Sequence, residues 1–135
     1  MIRFLPEAIV LAIHEDQIRL YGGGYRVRDA AGLDSALHTP QAQFDGQSLH
    51  STIFEMAAAY GFHLCQNHPF IDGNKRTAGM AMFTFLQLNG LEPVASEADY
   101  YAAMMAAASG QMSKEELAAW VQIVVRGAPP DVTTE

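Results

Sequence analysis

Apolar residues recur along this chain at three- and four-residue steps far more often than in alternation, and that pattern predicts helices. Pro6 suits a first helical turn, and Ile9, Leu11, Ile13, Ile18 and Leu20 follow before the breaker Gly22-Gly23-Gly24. Gly32 to His38 reads as a short helix stopped before Pro40. Leu49, Ile53, Met56, Ala57, Tyr60 and Leu64 mark an amphipathic helix ending near Cys65. Asn74 to Asn89 is apolar almost all round, as a central buried helix should be, with Gly90 as its stop. Ser96, Glu97 and Asp99 open an Ala/Met-rich helix to Ser109. Ser113 and Glu116 form a capping-box pattern ahead of Leu117, Trp120, Val121 and Val124. Only Tyr25-Arg26-Val27-Arg28 alternates, predicting a short strand or flap edge. The expected class is all-α.

The 135 residues fit one domain, and 50% apolar content is enough for a core without staples. We expect a domain over residues 1–127 and a flexible C-terminal tail over 128–135, where Pro and polar residues collect. There is no internal repeat. A net charge of −7 argues against direct nucleic-acid binding, which needs basic residues on phosphates. One cysteine, Cys65, permits no internal disulfide, and neither apolar run (Ala8 to Ile13, Ala78 to Leu88) is long enough to span a membrane. A cytoplasmic protein with no membrane partner is the expectation.

Chemistry concentrates in His68-Pro69-Phe70-Ile71-Asp72-Gly73-Asn74-Lys75-Arg76, between two predicted helices. Pro69 ends the first and Gly73 permits a tight turn into the second. The first-turn N–H groups of the second helix then face an open end, which favours an anion. Lys75 and Arg76 stand at the positive end of that helix, where cations are disfavoured, and a bound phosphate resolves the conflict. Asp72 is placed to hold Mg²⁺ beside nucleotide phosphates. Asn74 can hold a phosphate oxygen or cap the turn. His68 is the side chain suited to general-base work near neutrality, and Phe70 is expected to anchor the loop in the core.

This run resembles the signature of the Fic/Doc family, His-x-Phe-x-(Asp/Glu)-(Ala/Gly)-Asn-(Lys/Gly)-Arg, at every defining position. Tyr21-Gly22-Gly23, Val27-Arg28-Asp29, Gly32-Leu33, Ser35-Ala36-Leu37 and Pro40-Gln41 are similar to the N-terminal half of Doc-type (death-on-curing) proteins. The resemblance implies a compact bundle of about six helices, with the signature loop between two central helices and a flap near Gly22 to Asp29 that aligns the target. It also implies His68 as base, Asp72 as Mg²⁺ ligand, and Gly73, Asn74, Lys75 and Arg76 as binders of ATP phosphates.

Two departures from the Fic branch narrow the expected reaction. Fic adenylyltransferases typically carry Gly after the signature Asn and a second Arg three residues past the first; here those positions are Lys75 and Gly79. Both features are shared with Doc-type toxins, in which ATP lies the other way round. The resemblance therefore implies transfer of the γ-phosphoryl group to a Ser or Thr of an elongation factor Tu-like protein, halting translation. A Phd-like antitoxin would control it. No Ser/Thr-x-x-x-Glu-(Gly/Asn) inhibitory motif is present, since Met56 follows Ser51 and Glu55. The alternatives are AMP (nucleotidyl) transfer to a protein hydroxyl and a catalytically inactive binding module.

Plainer readings compete elsewhere. His63 and Cys65, with His68 and Asp72, invite a zinc site, but positions two apart on a helix face different sides. His14, His38 and His50 read as ordinary polar-face or loop histidines. Met80, Met82, Phe83 and Phe85 read as core, as do Met104 and Met105, and Cys65 as a small buried hydrophobe.

Overall fold

The computed structural model of the chain describes residues 1–126; the tail expected over 128–135 lies outside them. Helices dominate: α1 (Glu7–Tyr21), α2 (Ala30–His38), α3 (Ile53–Asn67), α4 (Asn74–Leu88), α5 (Glu97–Ala108) and α6 (Lys114–Ile123). The all-α expectation holds. Four two-residue strands make two antiparallel pairs, β1 (Gln43–Phe44) with β2 (Gln47–Ser48) and β3 (Glu92–Pro93) with β4 (Val125–Arg126).

α3 and α4 form the central pair, with α5 and α1 against α4 and α2 and α6 against α3. Their contact is close because Gly61 of α3 lacks a side chain: a Cβ there would stand 2.5 Å from Met82 Sδ. Phe54, Met56, Ala57, Tyr60 and Leu64 from α3 meet Ala78, Ala81, Met82, Phe85 and Leu86 from α4 in one buried cluster. Burial of these side chains is the main favourable term in the fold, at roughly 1.5–3 kcal/mol for each large aliphatic or aromatic group.

Helix starts follow the side-chain signals. Ser96 and Ser113 form complete capping boxes with Asp99 and Glu116. Asp29 caps α2 by accepting from Gly32 N, so that helix begins at Ala30 rather than at Gly32. At its other end Pro40 does not stop the chain; it continues as one 3-10 turn over Thr39–Gln41. α3 begins later than its apolar spacing suggested. Leu49 is exposed, and the β1–β2 hairpin turns at Asp45-Gly46, both with positive φ. In α1 the apolar list also misplaces the inner face. Ile9 and Leu20 are exposed, whereas Val10, His14 and Gln17 are buried at i, i+4 and i+7.

Candidate active site

The run from His68 to Arg76 leaves α3, turns, and enters α4. His68 is the α3 C-cap in the left-handed region (φ 49, ψ 54), a position more often held by Gly or Asn. Arg28 secures it: Nε donates to the His68 carbonyl at 2.9 Å and a terminal nitrogen to the Asn67 carbonyl at 3.3 Å. Asn67 in turn donates from Nδ2 to the Gly32 carbonyl, tying the α3 end to α2. The imidazole of His68 is exposed and borders an open cleft.

Phe70 is fully buried and anchors the loop. Its partner is His14, stacked on it at 3.8 Å between ring centroids and 9° between planes. His14 Nε2 donates to the Asp72 carbonyl at 2.8 Å, and Tyr25 covers the other region of the ring at 5.3 Å. The reading of His14 as a polar-face histidine is therefore overturned: it is buried under the signature loop, and its sole sequence signal was its i, i+3 spacing to Gln17 on the same helix. Asn74 is also buried. Its Oδ1 accepts from Phe70 N at 3.0 Å and its Nδ2 donates to Phe70 O at 2.9 Å. The carboxamide is thus committed to the loop, and what Asn74 offers an anion is its backbone N–H rather than its side chain.

The flap pairs with this loop along its backbone. Arg28 N and Asp29 N donate to the Pro69 carbonyl, Ile71 N donates to the Arg26 carbonyl, and Val27 bridges Phe70 antiparallel. Nearer α1, Gly24 N donates to Asp72 Oδ2 at 2.7 Å. Gly23 has φ +115, and a Cβ there would stand 2.9 Å from Asp72 Cβ, so glycine is required twice over. Asp72 is exposed to the cleft with one oxygen fixed by the flap. One carboxylate with a free oxygen beside a phosphate-sized space fits Mg²⁺, which takes few protein ligands and completes its shell with phosphates and water.

α4 opens with Gly73 (φ +81), which supplies no side-chain cap, and the first helical bond is Thr77 N to Gly73 O. The N–H groups of Asn74, Lys75 and Arg76 consequently have no intrahelical acceptor. Among the described residues no carboxylate lies within ion-pair distance of Lys75 or Arg76. The Arg76 guanidinium instead lies over two rings, 3.8 Å from the centroid of Tyr21 and 4.1 Å from that of Tyr101. Gln17, Tyr21, Gly22, Gly23, His68, Asp72 and the first turn of α4 enclose a cleft of about 480 Å³. The structure thus brings His68, Asp72, Gly73, Lys75 and Arg76 to one space and places Phe70 beneath it. Tyr21, Gln17 and Tyr101 are lining residues that the sequence reading missed.

The other candidates fall elsewhere. Among the described residues no three His, Cys, Asp or Glu side chains gather as a metal cage. His63 faces Lys114, whereas the buried Cys65 thiol donates to the Met104 carbonyl and is pushed up in pKa by burial. His50 is buried rather than a free loop residue, with Nε2 on Lys114. Glu55 belongs to the start of α3, where its carboxylate accepts from Ser51 N and Oγ. That is about 20 Å along the helix from His68 at 1.5 Å per residue.

Comparison with known proteins gives a consistent result. The model of the Fic/DOC family matches residues 4–86, from before α1 into the last turn of α4. The protein called "Toxin Doc" of Mycolicibacterium smegmatis is 43% identical over 72 residues, covering 53% of this chain and 55% of that protein. "Protein kinase doc" of Escherichia phage P1 is 29% identical over 113 residues, covering 84% of this chain and 87% of that protein.

Proposed function

Because the chain belongs to the Fic/DOC family, we propose that it is a Doc-like toxin that transfers the γ-phosphoryl group of ATP to a Ser or Thr hydroxyl of a protein. The observation that carries the reading is the set of uncommitted donors at the α4 start. Three backbone N–H groups, Lys75 and Arg76 border one cleft, and among the described residues neither side chain is ion-paired to a carboxylate. A triphosphate supplies the missing charge. The relatives named as a Doc toxin and a Doc protein kinase support the toxin and kinase parts of the reading.

In this reading His68 Nε2 or Nδ1 takes the proton of the target hydroxyl as its oxygen bonds to the γ-phosphorus. The bond from that phosphorus to the bridging oxygen breaks, and ADP leaves. Lys75 acts as a point charge and Arg76 as a planar fork on phosphate oxygens. Asp72 would hold Mg²⁺, which when bound neutralises charge on the phosphates. The flap segment Tyr25 to Arg28, held to the loop by its backbone, would present the hydroxyl to His68.

Phosphoryl rather than nucleotidyl transfer is supported by Lys75 and by the fit of Gly79. A Cβ at Gly79 would stand 3.2 Å from the Tyr100 carbonyl, so an arginine there would press on the α5 backbone. The proposed target is elongation factor Tu-like, and the proposed partner is a Phd-like antitoxin, since Glu55 is engaged in capping α3.

The test is transfer of label in a bacterial lysate, and to purified elongation factor Tu, from ATP labelled separately at the α- and γ-phosphates. Label from γ alone, abolished in His68→Ala, is the expected result. Transfer from α overturns the kinase in favour of nucleotidyl transfer, and no His68-dependent label from either position favours a binding module.

A further inference from the structure

Arg76 has an arrangement that phosphate binding by itself does not require. Its guanidinium carbon lies over two aromatic rings, 3.8 Å from the centroid of Tyr21 in the last turn of α1 and 4.1 Å from that of Tyr101 in the first turns of α5. The two rings belong to different helices, each packed against α4, and meet at this side chain. What brings the second ring in is Gly79, three residues after Arg76 and so on the same side of α4. With no Cβ at Gly79, the α5 backbone approaches until a methyl group there would stand 3.2 Å from Tyr100 O and 3.3 Å from Tyr100 C. Tyr101, the next residue, then lies over the guanidinium. Gln17, Tyr21, Arg76, Gly79, Glu97 and Tyr101 close a small space of about 70 Å³ behind it. Glu97 makes no ion pair with Arg76 among the described residues.

The geometry points to Tyr21 and Tyr101 as positioning residues that hold Arg76 as a preset fork for the nucleotide phosphates, with Gly79 as the residue that admits Tyr101. This inference rests on the reading of the cleft as a triphosphate site. The physical basis is that a guanidinium has two kinds of surface. Its faces are weakly hydrated and attract the negative face of an aromatic ring, while its N–H edge points outward in the plane and matches phosphate oxygens. Rings on both faces therefore fix the plane without occupying the donors. A carboxylate partner would fix the side chain too, but would compete with phosphate for the same N–H groups. The helix that Gly79 admits supplies a ring to steady Arg76.

Binding and spectroscopy on the full chain test the idea together. Mg²⁺ with the non-hydrolysable ATP analogue AMP-PNP is titrated into the wild type, Tyr21→Leu, Tyr101→Leu, the double Leu variant, and the two Tyr→Phe variants. Leu keeps apolar bulk without a π face, and Phe keeps the face without the hydroxyl. Each Leu change should weaken binding by about 3- to 10-fold and the double by about 10- to 30-fold, the range of cation–π contributions at partly exposed sites. Phe should restore most of the affinity. In the ¹H–¹⁵N spectrum without nucleotide, the Arg76 Nε–H signal should be ring-shifted and slow to exchange in wild type and Phe variants, and ordinary in the Leu variants. Leu variants that bind as the wild type does, with an unmoved Nε–H signal, overturn the clamp. So does a Phe variant as weak as its Leu counterpart, which would assign the effect to the hydroxyl. A wild type that binds no AMP-PNP overturns the reading of the cleft instead, and the two failures are told apart by that one titration.

Discussion

Two groups of lysine and histidine hang on α3, and they teach opposite lessons. At its C-terminal end stand His68, Lys75 and Arg76 around a cleft of about 480 Å³. Alongside it, from His50 ahead of its first turn to His63 and with Lys114 of α6, lies another of about 490 Å³. Volume and residue type do not separate them. The partners of their lysines do. Lys114 Nζ donates to His50 Nε2 at 3.1 Å and to His63 Nε2 at 3.2 Å, so the ammonium finds its acceptors within the cluster, while His50 Nδ1 is buried without a partner. Each of those imidazoles then carries its proton on Nδ1. At the signature loop the donors are left open: among the described residues Lys75 and Arg76 pair with no carboxylate, and the first-turn N–H groups of α4 have no intrahelical acceptor. Uncommitted donors, rather than charge or cavity size, mark the candidate site.

The sharpest way to break this comparison is to exchange the histidines' fates. His68→Ala should lower phosphoryl transfer by about 10²- to 10⁴-fold, the usual worth of a general base, without changing thermal stability, because the side chain is exposed. His63→Gln should leave transfer within about twofold of wild type and change stability instead. Measured kcat/KM and unfolding midpoints for the pair decide the matter, and equal losses of transfer would remove the distinction drawn here.

Next in size is Asn74. Its carboxamide holds both the N–H and the carbonyl of the fully buried Phe70, so Asn74→Ala strands two buried backbone groups. Urea unfolding should show a loss of about 2–3 kcal/mol on the usual cost of such groups, and nucleotide binding should fall with it. Stability unchanged with binding lost would instead return Asn74 to the phosphate-binding role that its place in the signature suggested.

Much of this was legible in the residues and some was not, for physical reasons. Ser96, Ser113 and the long apolar run of α4 fixed three helices because capping and periodicity act locally. The β1–β2 hairpin was missed although Asp45-Gly46 is a strong turn signal, because its strands are two residues long and carry no alternation. The signature loop was legible because its chemistry is contiguous. Tyr21, Tyr101 and His14 were not, because they reach the site only through helix packing, from 55, 25 and 62 residues away from Arg76 in sequence. His14 in particular carries no local mark that distinguishes a buried stacked ring from a surface one.

A smaller effect sharpens the active side of the comparison. Gly23→Ala asks a residue with φ +115 to carry a Cβ that would stand 2.9 Å from Asp72 Cβ. The strain is worth about 1–3 kcal/mol, and relief requires the flap to draw away from Asp72. The Gly24 N–H bond to Asp72 Oδ2 should then be lost, with a weaker Mg²⁺ requirement for transfer as the readout. Gly22→Ala, with nothing within 4 Å of its Cβ, meets only the backbone penalty at φ +86 and should leave the Mg²⁺ dependence in place.

The smallest effect belongs to the His50–His63–Lys114 cluster and is a dependence on pH. Burial, then the Lys114 ammonium, then His50 hold His63 down at about 4. Burial first and Lys114 second also lower His50, against the raising influence of Glu55, the Thr39 carbonyl and Glu115. In the unfolded chain both imidazoles return to about 6.5. Between those values the unfolded state binds more protons than the folded one, so stability is complete above pH 6.5 and falls as pH drops towards 4. The slope is at most about 1.4 kcal/mol per pH unit for each group, and less for His63 because it is only half-buried and partly screened by water. Thermal midpoints from pH 8 to pH 5, a window above most carboxylate titration, should fall for wild type and His68→Ala alike and fall less for His63→Gln. Lys114→Met should keep part of the slope, since burial is the larger cause and the ammonium the smaller. A His63→Gln curve parallel to wild type would show that the cluster does not hold its imidazoles neutral, and the contrast between the two lysine–histidine groups would then rest on the signature loop's open donors alone.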